Sequence, residues 1–465
     1  MFLELDKKDP LSIAMLNDLG EELNYGDLCT QIKAGLPKIQ PRDLGILLCQ
    51  NSFGTVANFL SCIENKVVLL LLPSNINSEL LGFYVNHYHA AFILAPKDLG
   101  INQRYLLSND LSFDFQLYLT EQSSPTLFDG LSMLLPTSGS TGSPKLVRHS
   151  YKNLSSIAKN VAHSFGLQPD ERAMISLPVS FTQGLSTVTS NLFVGGTILL
   201  TEATLTQKAF WSLFSEQKAT SITGVPYSYD VFHRLRLTSK DYPFLRILNQ
   251  GGGKLTNERF MEFAQYAHDT DKRFIASYGS TETSSRMSCL PTELALQKCG
   301  SVGYPLNQGT LRVLDQDNRE VQQGQVGEIV YSGPNVTLGY AENIDDLRKG
   351  DERQGVYCTG DLGYKDQDGC LFIVGRQKRF LKLFGYRIGL DETEQMIKSE
   401  FDIACACVGT DKKMIIYAVG EDKTNIVNFV CAQTKLQPSA FEVRVVGSLP
   451  QNQSGKTLYS ELANQ

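Results

Sequence analysis

Thr137-Ser-Gly-Ser-Thr-Gly-Ser-Pro-Lys145 closely follows the apolar run Leu131 to Leu135. The stretch packs five Ser or Thr hydroxyls, two glycines and a lysine into nine residues. Small hydroxyl residues and glycines let backbone N–H and side-chain O–H groups converge on phosphate oxygens, and Lys145 adds positive charge at the far end. The reading is a polyphosphate-binding loop. It is not a Walker loop, which sets four residues between its first glycine and Gly-Lys-Ser/Thr. Here two residues separate Gly139 from Gly142, and Lys145 stands between Pro144 and Leu146. The alternative is a Ser/Gly-rich surface turn, and the rest of the chain weighs against it.

Outward from this loop, strand-like and helix-like segments alternate. Leu44–Cys49, Val67–Leu72 and Ala91–Leu94 read as strands, with helices over Phe53–Asn65 and Leu80–His89 between them. After the loop, Tyr151–Phe165 reads as a helix. Met174–Leu177, Gly196–Leu200, Ser221–Gly224, Leu245–Gln250 and Phe274–Ser277 read as strands, with a helix starting near Thr256. This alternation predicts α/β layers with parallel pairing. Gly, Pro or Tyr-Gly follows most of these strands, which places loops, and with them a ligand site, at the strand ends. From about Gly303 the texture changes to short strands with Gly, Asp and Asn turns (Thr310–Leu314, Gly327–Tyr331, Leu371–Val374), a β-rich subdomain. Beyond it come a helix at Leu390–Phe401, strands at Ala404–Val408 and Met414–Val419, and a helix from Asn425. The expected division is 1–377 and 378–465.

The chain has 465 residues, enough for two or more domains, and a formal net charge of −6. That charge disfavours a nucleic-acid binder. The longest aliphatic run, Val67–Leu72, is far too short to cross a bilayer, and the first residues hold no apolar run of signal-peptide length. No membrane insertion and a cytoplasmic location are the expectation. The ten cysteines form no CxxC pair and read as reduced and buried. Cys405-Ala-Cys407 lacks nearby partners for a metal site.

Four further segments line up with the loop in a fixed order. They are Tyr278-Gly-Ser-Thr-Glu282; Tyr357-Cys-Thr-Gly-Asp361; Gly375-Arg376 followed by Gly385-Tyr-Arg387-Ile388; and Leu449-Pro-Gln-Asn-Gln-Ser-Gly-Lys456. With the loop they resemble, end to end, the motifs of the adenylate-forming (AMP-binding) enzyme superfamily. That superfamily includes acyl- and aryl-CoA ligases, peptide-synthetase adenylation domains and firefly luciferase. The resemblance implies a luciferase-like fold: a large N-terminal domain of layered α/β sheets with a β-rich subdomain, and a small mobile α+β C-terminal domain.

It also implies an activity. ATP activates a carboxylic acid to an acyl adenylate with release of pyrophosphate. The acyl group then passes to the phosphopantetheine thiol of CoA or of a separate acyl carrier protein. Nucleophile and electrophile are both anionic, so neutralising charge and aligning the reactants are the main catalytic tasks. By resemblance, Thr137, Ser138, Gly139, Ser140, Thr141, Gly142 and Lys145 hold the β- and γ-phosphates. Glu282 ligates Mg²⁺, for which oxygen ligands are suited. Thr281 contacts the α-phosphate and Tyr278, followed by Gly279, packs on adenine. Asp361 accepts from both ribose hydroxyls, and Arg376 reaches the same ribose. Lys456 bridges the attacking carboxylate and the α-phosphate. Gly251-Gly252-Gly253 borders adenine and the acyl pocket, or is a plain strand-to-helix turn. Lys378 is the hinge about which the C-terminal domain swings, and Gly385 lets a pantetheine arm approach the backbone.

The acyl pocket departs from its relatives' patterns. Amino-acid-activating relatives carry an Asp after a Phe in a short loop, pairing with the substrate ammonium. The matching stretch is Ser180-Phe-Thr-Gln-Gly184, with Thr182 at that place. An ammonium buried without a partner is costly, which disfavours α-amino acids. Phe181 stands where CoA ligases carry a gating His. Phe181, Gly184, Val225, Tyr229 and Gly252 are candidates to line an apolar pocket for an aryl or aliphatic acid, with core packing the alternative for each. Leu146 and Tyr151 replace a family Gly and His, and the C-terminal domain is short. The competing readings are a free-standing amino-acid adenylation enzyme, a luciferase-like oxygenase and a non-catalytic nucleotide-binding relative. The last would be expected to lose Lys456 or Glu282, and both are present.

Overall fold

The computed structural model describes residues 1–101, 105–136, 145–377, 379–384, 386–420, 422–451 and 457–463. Two large sheets carry the architecture. The first has 13 strands. At its centre Arg172–Met174, Ser221–Gly224, Ile247–Gln250 and Arg273–Tyr278 run parallel in that order. Thr197–Leu200 and Ile13–Asn17 extend the parallel part on one side. On the other side the short strand Ser288–Cys289 leads into an antiparallel region made by Ser301–Pro305, Thr310–Leu314, Gly327–Ser332, Val356–Lys365 and Leu371–Arg376. The β-rich stretch expected from about Gly303 therefore continues the same sheet. The second sheet has eight strands, with Leu44–Cys49, Val68–Pro73, Phe92–Pro96 and Leu131–Pro136 parallel at its centre.

Strand residues alternate between two burial environments, as a period of two requires. Leu69 and Leu71 face one core cluster, and Val68, Leu70 and Leu72 face another. Ile198 and Leu200 likewise join the first cluster while Leu199 joins a third. The shared cluster lies between the sheets and includes residues of the helices Tyr25–Ala34, Phe53–Glu64 and Thr182–Val194. Lys208–Glu216, Pro226–Arg234 and Asn257–Asp269 cover the far face of the large sheet, and Ser78–Tyr88 covers that of the smaller one. Phe53–Glu64 is buried along nearly its whole length, so its apolar sequence reflects a helix enclosed between sheets.

A small α+β unit follows. A hairpin (Phe380–Leu383, Tyr386–Gly389) and a three-stranded sheet (Cys405–Thr410, Lys413–Val419, Phe441–Val446) pack with helices Leu390–Phe401 and Lys423–Thr434 around a core of their own. Cys405 and Cys407 belong to that core, and burial pushes both thiols up. Glu394 accepts from Arg379 (2.6 Å), the Cys407 amide (2.7 Å) and the Tyr459 hydroxyl (2.8 Å), tying hairpin, sheet and terminal helix together. Among the described residues no helix is long and apolar enough to cross a membrane.

Candidate active site

The site gathers at the C-terminal ends of the central parallel strands. Ile247–Gln250 runs into Gly251-Gly252-Gly253, and its neighbour Arg273–Tyr278 runs into Gly279 and a 3₁₀ turn at Thr281–Thr283 that carries Glu282. Gly279 is there for space: a Cβ would lie 1.7 Å from the Ser285 carbonyl oxygen and 2.5 Å from Arg286 Cα. Gly252 has φ +76°, a left-handed backbone that favours glycine. Gln183 closes against this loop, 2.6 Å from where a Gly251 Cβ would sit.

The Tyr278 hydroxyl donates to Asp361, and Arg376 Nε stands 3.2 Å from the same carboxylate. Asp361 and Arg376 are cross-strand partners on Val356–Lys365 and Leu371–Arg376, so sheet register brings them together. Burial pushes the Asp361 carboxyl up, and Arg376 and the Tyr278 hydroxyl offset only part of that rise.

Lys145 reaches the same region through strand pairing. Leu146–Ser150 pairs with Gly339–Ala341, setting Tyr340 opposite Val147. The Tyr340 hydroxyl donates to Glu282 Oε1 at 2.8 Å, and Lys145 Nζ lies 5.8 Å from the Tyr340 ring and 2.7 Å from Glu342. Burial, then the Glu282 charge, push the Tyr340 phenol up to about 12. The Arg353 guanidinium packs over the Tyr340 and Tyr357 rings at 4.5 and 5.0 Å. Glu282 thus accepts from a neutral hydroxyl, which leaves its charge for a hard cation and fits a Mg²⁺ ligand. No motif marks Gln183, Tyr340, Glu342 or Arg353, and only pairing across about 190 residues brings Tyr340 to the strand after Lys145.

The acyl-pocket candidates divide. Phe181 is half-buried, and Val225 stands 3.0 Å from a would-be Gly252 Cβ, beside the glycine loop. Tyr229 is fully buried with its ring edge-on to Phe263, Phe232 and Phe274, inside the aromatic core. Gly184 lies in the first turn of Thr182–Val194, where a Cβ would meet the Pro178 carbonyl oxygen at 2.3 Å; close packing accounts for it. The stretch matched to a short loop is therefore a helix start. Thr137, Ser138, Gly139, Ser140, Thr141, Gly142, Lys378, Gly385 and Lys456 lie outside the described residues.

Residues 7–341 match the family described as AMP-binding enzyme. The chain belongs to that family. It is 29% identical over 441 residues to a 2-succinylbenzoate–CoA ligase of Bacillus licheniformis, covering 90% of this chain and 89% of the relative. It is 26% identical over 390 residues to an oxalate–CoA ligase of Arabidopsis thaliana, covering 79% and 75% respectively. In fold it is similar to the o-succinylbenzoate coenzyme A synthetase of Bacillus subtilis solved with ATP and magnesium. The TM-score is 0.80 at 21% identity, over 99% of this chain and 98% of that one.

Proposed function

We propose that this family member is an AMP-forming acid–CoA ligase. The observation that carries the reading is the convergence of Tyr278, Asp361 and Arg376 on one side of the Thr281–Glu282 turn with Tyr340 and Lys145 on the other. These segments are scattered over more than 200 residues of sequence, yet they form one polar rim at the strand ends.

In the first step a carboxylate oxygen bonds to the α-phosphorus of ATP, the α–β bridging P–O bond breaks, and pyrophosphate leaves. Asp361 and Arg376 hold the ribose and Tyr278 covers adenine. Thr281 meets the α-phosphate, while Lys145 leaves Glu342 to join the Thr137–Gly142 loop on the β- and γ-phosphates. Glu282 holds Mg²⁺, which when bound supplies charge neutralisation to the triphosphate. Lys456 neutralises charge between the two anionic reactants. In the second step a thiolate sulfur bonds to the acyl carbon and AMP leaves. The division at Lys378 lets residues 378–465 swing as a unit, withdrawing Lys456 and presenting Gly385 to the pantetheine arm. The acid is aryl or aliphatic and packs near Phe181, Val225 and Gly252. The thiol belongs to CoA, with a separate acyl carrier protein as the alternative acceptor.

ATP–pyrophosphate exchange with Mg²⁺, run against pools of aryl, aliphatic and amino acids, tests the reading. Exchange with a carboxylic acid and subsequent CoA thioester formation are expected. ATP binding without exchange in any pool would instead support the non-catalytic relative.

A further inference from the structure

Behind the glycine loop lies a charge that the catalytic reading does not use. Arg286 is 2% exposed, and among the described residues no acidic side chain pairs with it. Its guanidinium donates to three neutral oxygens: Ser186 Oγ (2.5 Å), Ser285 Oγ (3.1 Å) and Asn249 Oδ1 (2.8 Å). The Phe165 ring covers it at 5.2 Å, and Nε has no partner among the described residues. The titratable group that acts on it is the Cys289 thiol, which burial pushes up to about 11 and keeps neutral. Burial pulls the guanidinium down to about 10, so it remains a cation at neutral pH. A buried, uncompensated cation is among the most costly groups a core can hold.

Arg286 lines a cavity with Phe165, Thr187, Asn191, Thr223 and Asn249. The cavity lies directly behind the candidate site. Asn249 Nδ2 donates to Ser277 Oγ (3.1 Å), which would be 2.8 Å from a Cβ on Gly251, and Thr187 Oγ1 donates to the Gln183 carbonyl (3.0 Å) beside the same loop. In this conformation it has room for about one water. A longer occupant must therefore turn the Thr187 and Asn191 side chains aside.

We propose that Arg286 is a specificity-determining residue that receives a second carboxylate on the acid, at the end remote from the one that is activated. The inference rests on the ligase reading and names its substrate class: dicarboxylic acids. A carboxylate entering beside Arg286 supplies the missing counter-charge and accepts from the free Nε. A methyl group in its place leaves the cation uncompensated. Such a site favours the diacid through the penalty on the monoacid as much as through the new bond.

The test is pyrophosphate exchange with matched pairs. The diacids run from malonate to adipate and include 2-succinylbenzoate; each partner has the remote carboxylate replaced by methyl. A charge-assisted pair predicts a preference of about 10- to 100-fold for the best diacid in the wild type. R286Q should abolish that preference while still exchanging the monoacid, and R286K, which keeps a buried cation, should retain part of it. Melting curves confirm that each variant is folded, and R286K keeps the comparison open if R286Q is not. Equal exchange of both members of every pair by the wild type, or an undiminished preference in folded R286Q, would overturn the assignment. Exchange with no acid at all would overturn the ligase reading beneath it.

Discussion

Gly279→Ala adds one methyl carbon at the tightest glycine of the site. Its Cβ would sit 1.7 Å from the Ser285 carbonyl oxygen, 2.5 Å from Ser285 C and 2.5 Å from Arg286 Cα, all backbone atoms of the segment that returns under the Thr281–Glu282 turn. No rotamer relieves a clash with backbone, so the two segments must part by ~1.3 Å to reach the 3.0 Å that Cβ contacts respect, and a misplacement of about 1 Å at a reacting centre costs about 10²-fold in rate. The overpacking itself costs about 1–3 kcal/mol of stability. Gly251→Ala makes a graded comparison. The nearest atoms to its Cβ belong to the side chains of Gln183 and Ser277, and those can turn away. Gly447→Ala, where a Cβ meets nothing within 4 Å among the described residues, is the inert control. Pyrophosphate exchange and melting temperature are measured on all three. The expected order of lost exchange is Gly279→Ala well beyond Gly251→Ala, with Gly447→Ala near wild type. Gly279→Ala within threefold of wild type would refute the claim that backbone packing against Ser285 and Arg286 positions Thr281 and Glu282.

Three more predictions concern charge. Glu282→Gln should lower exchange by about 10²-fold or more and shift half-saturation to higher Mg²⁺, whereas Tyr340→Phe, which removes one neutral hydrogen bond to Glu282 and leaves its charge, should cost about tenfold or less; an unchanged Mg²⁺ titration for Glu282→Gln would remove the metal role. Asp361→Asn should raise the KM for ATP by about 10- to 100-fold, the worth of charge-assisted bonds to the ribose, with kcat less affected; a kcat-only effect would place Asp361 elsewhere in the mechanism. His149 is fully buried, with Nδ1 3.2 Å from Ser284 Oγ, and burial, with Arg353 nearby, lowers it from 6.5 to about 3. The unfolded chain therefore binds this proton first. The stability linked to His149 is complete above pH 6.5 and is lost as pH falls toward 3. Melting of His149→Phe should fall less steeply than wild type between pH 7 and pH 5, and parallel curves would contradict the burial of a neutral imidazole.

Much of the layered fold was legible because its strands are short apolar runs with turn residues after them. Leu44–Cys49, Ser221–Gly224 and Thr310–Leu314 are strands over the ranges their sequences suggest, and Leu390–Phe401 is the expected helix. Thr182–Val194 and Pro226–Arg234 are illegible in the sequence for opposite reasons. The first is so buried between sheets that its polar residues form no outward stripe, and the second begins on a Val-Pro pair that reads as a turn. The site divides along the same physical line. Groups carried by a contiguous motif, such as Tyr278, Glu282 and Asp361, could be read because each motif keeps its chemistry within a few residues. Groups assembled by strand pairing could not: nothing near Tyr340 in sequence points to Glu282 or Lys145. Arg286 is the sharpest case. It lies four residues after Glu282, yet its meaning comes only from what surrounds it: three neutral oxygens, an aromatic face and, among the described residues, no carboxylate. A sequence states that a charge is present. Whether that charge is compensated is a property of the folded core, and specificity of this kind is therefore decided where motif reading stops.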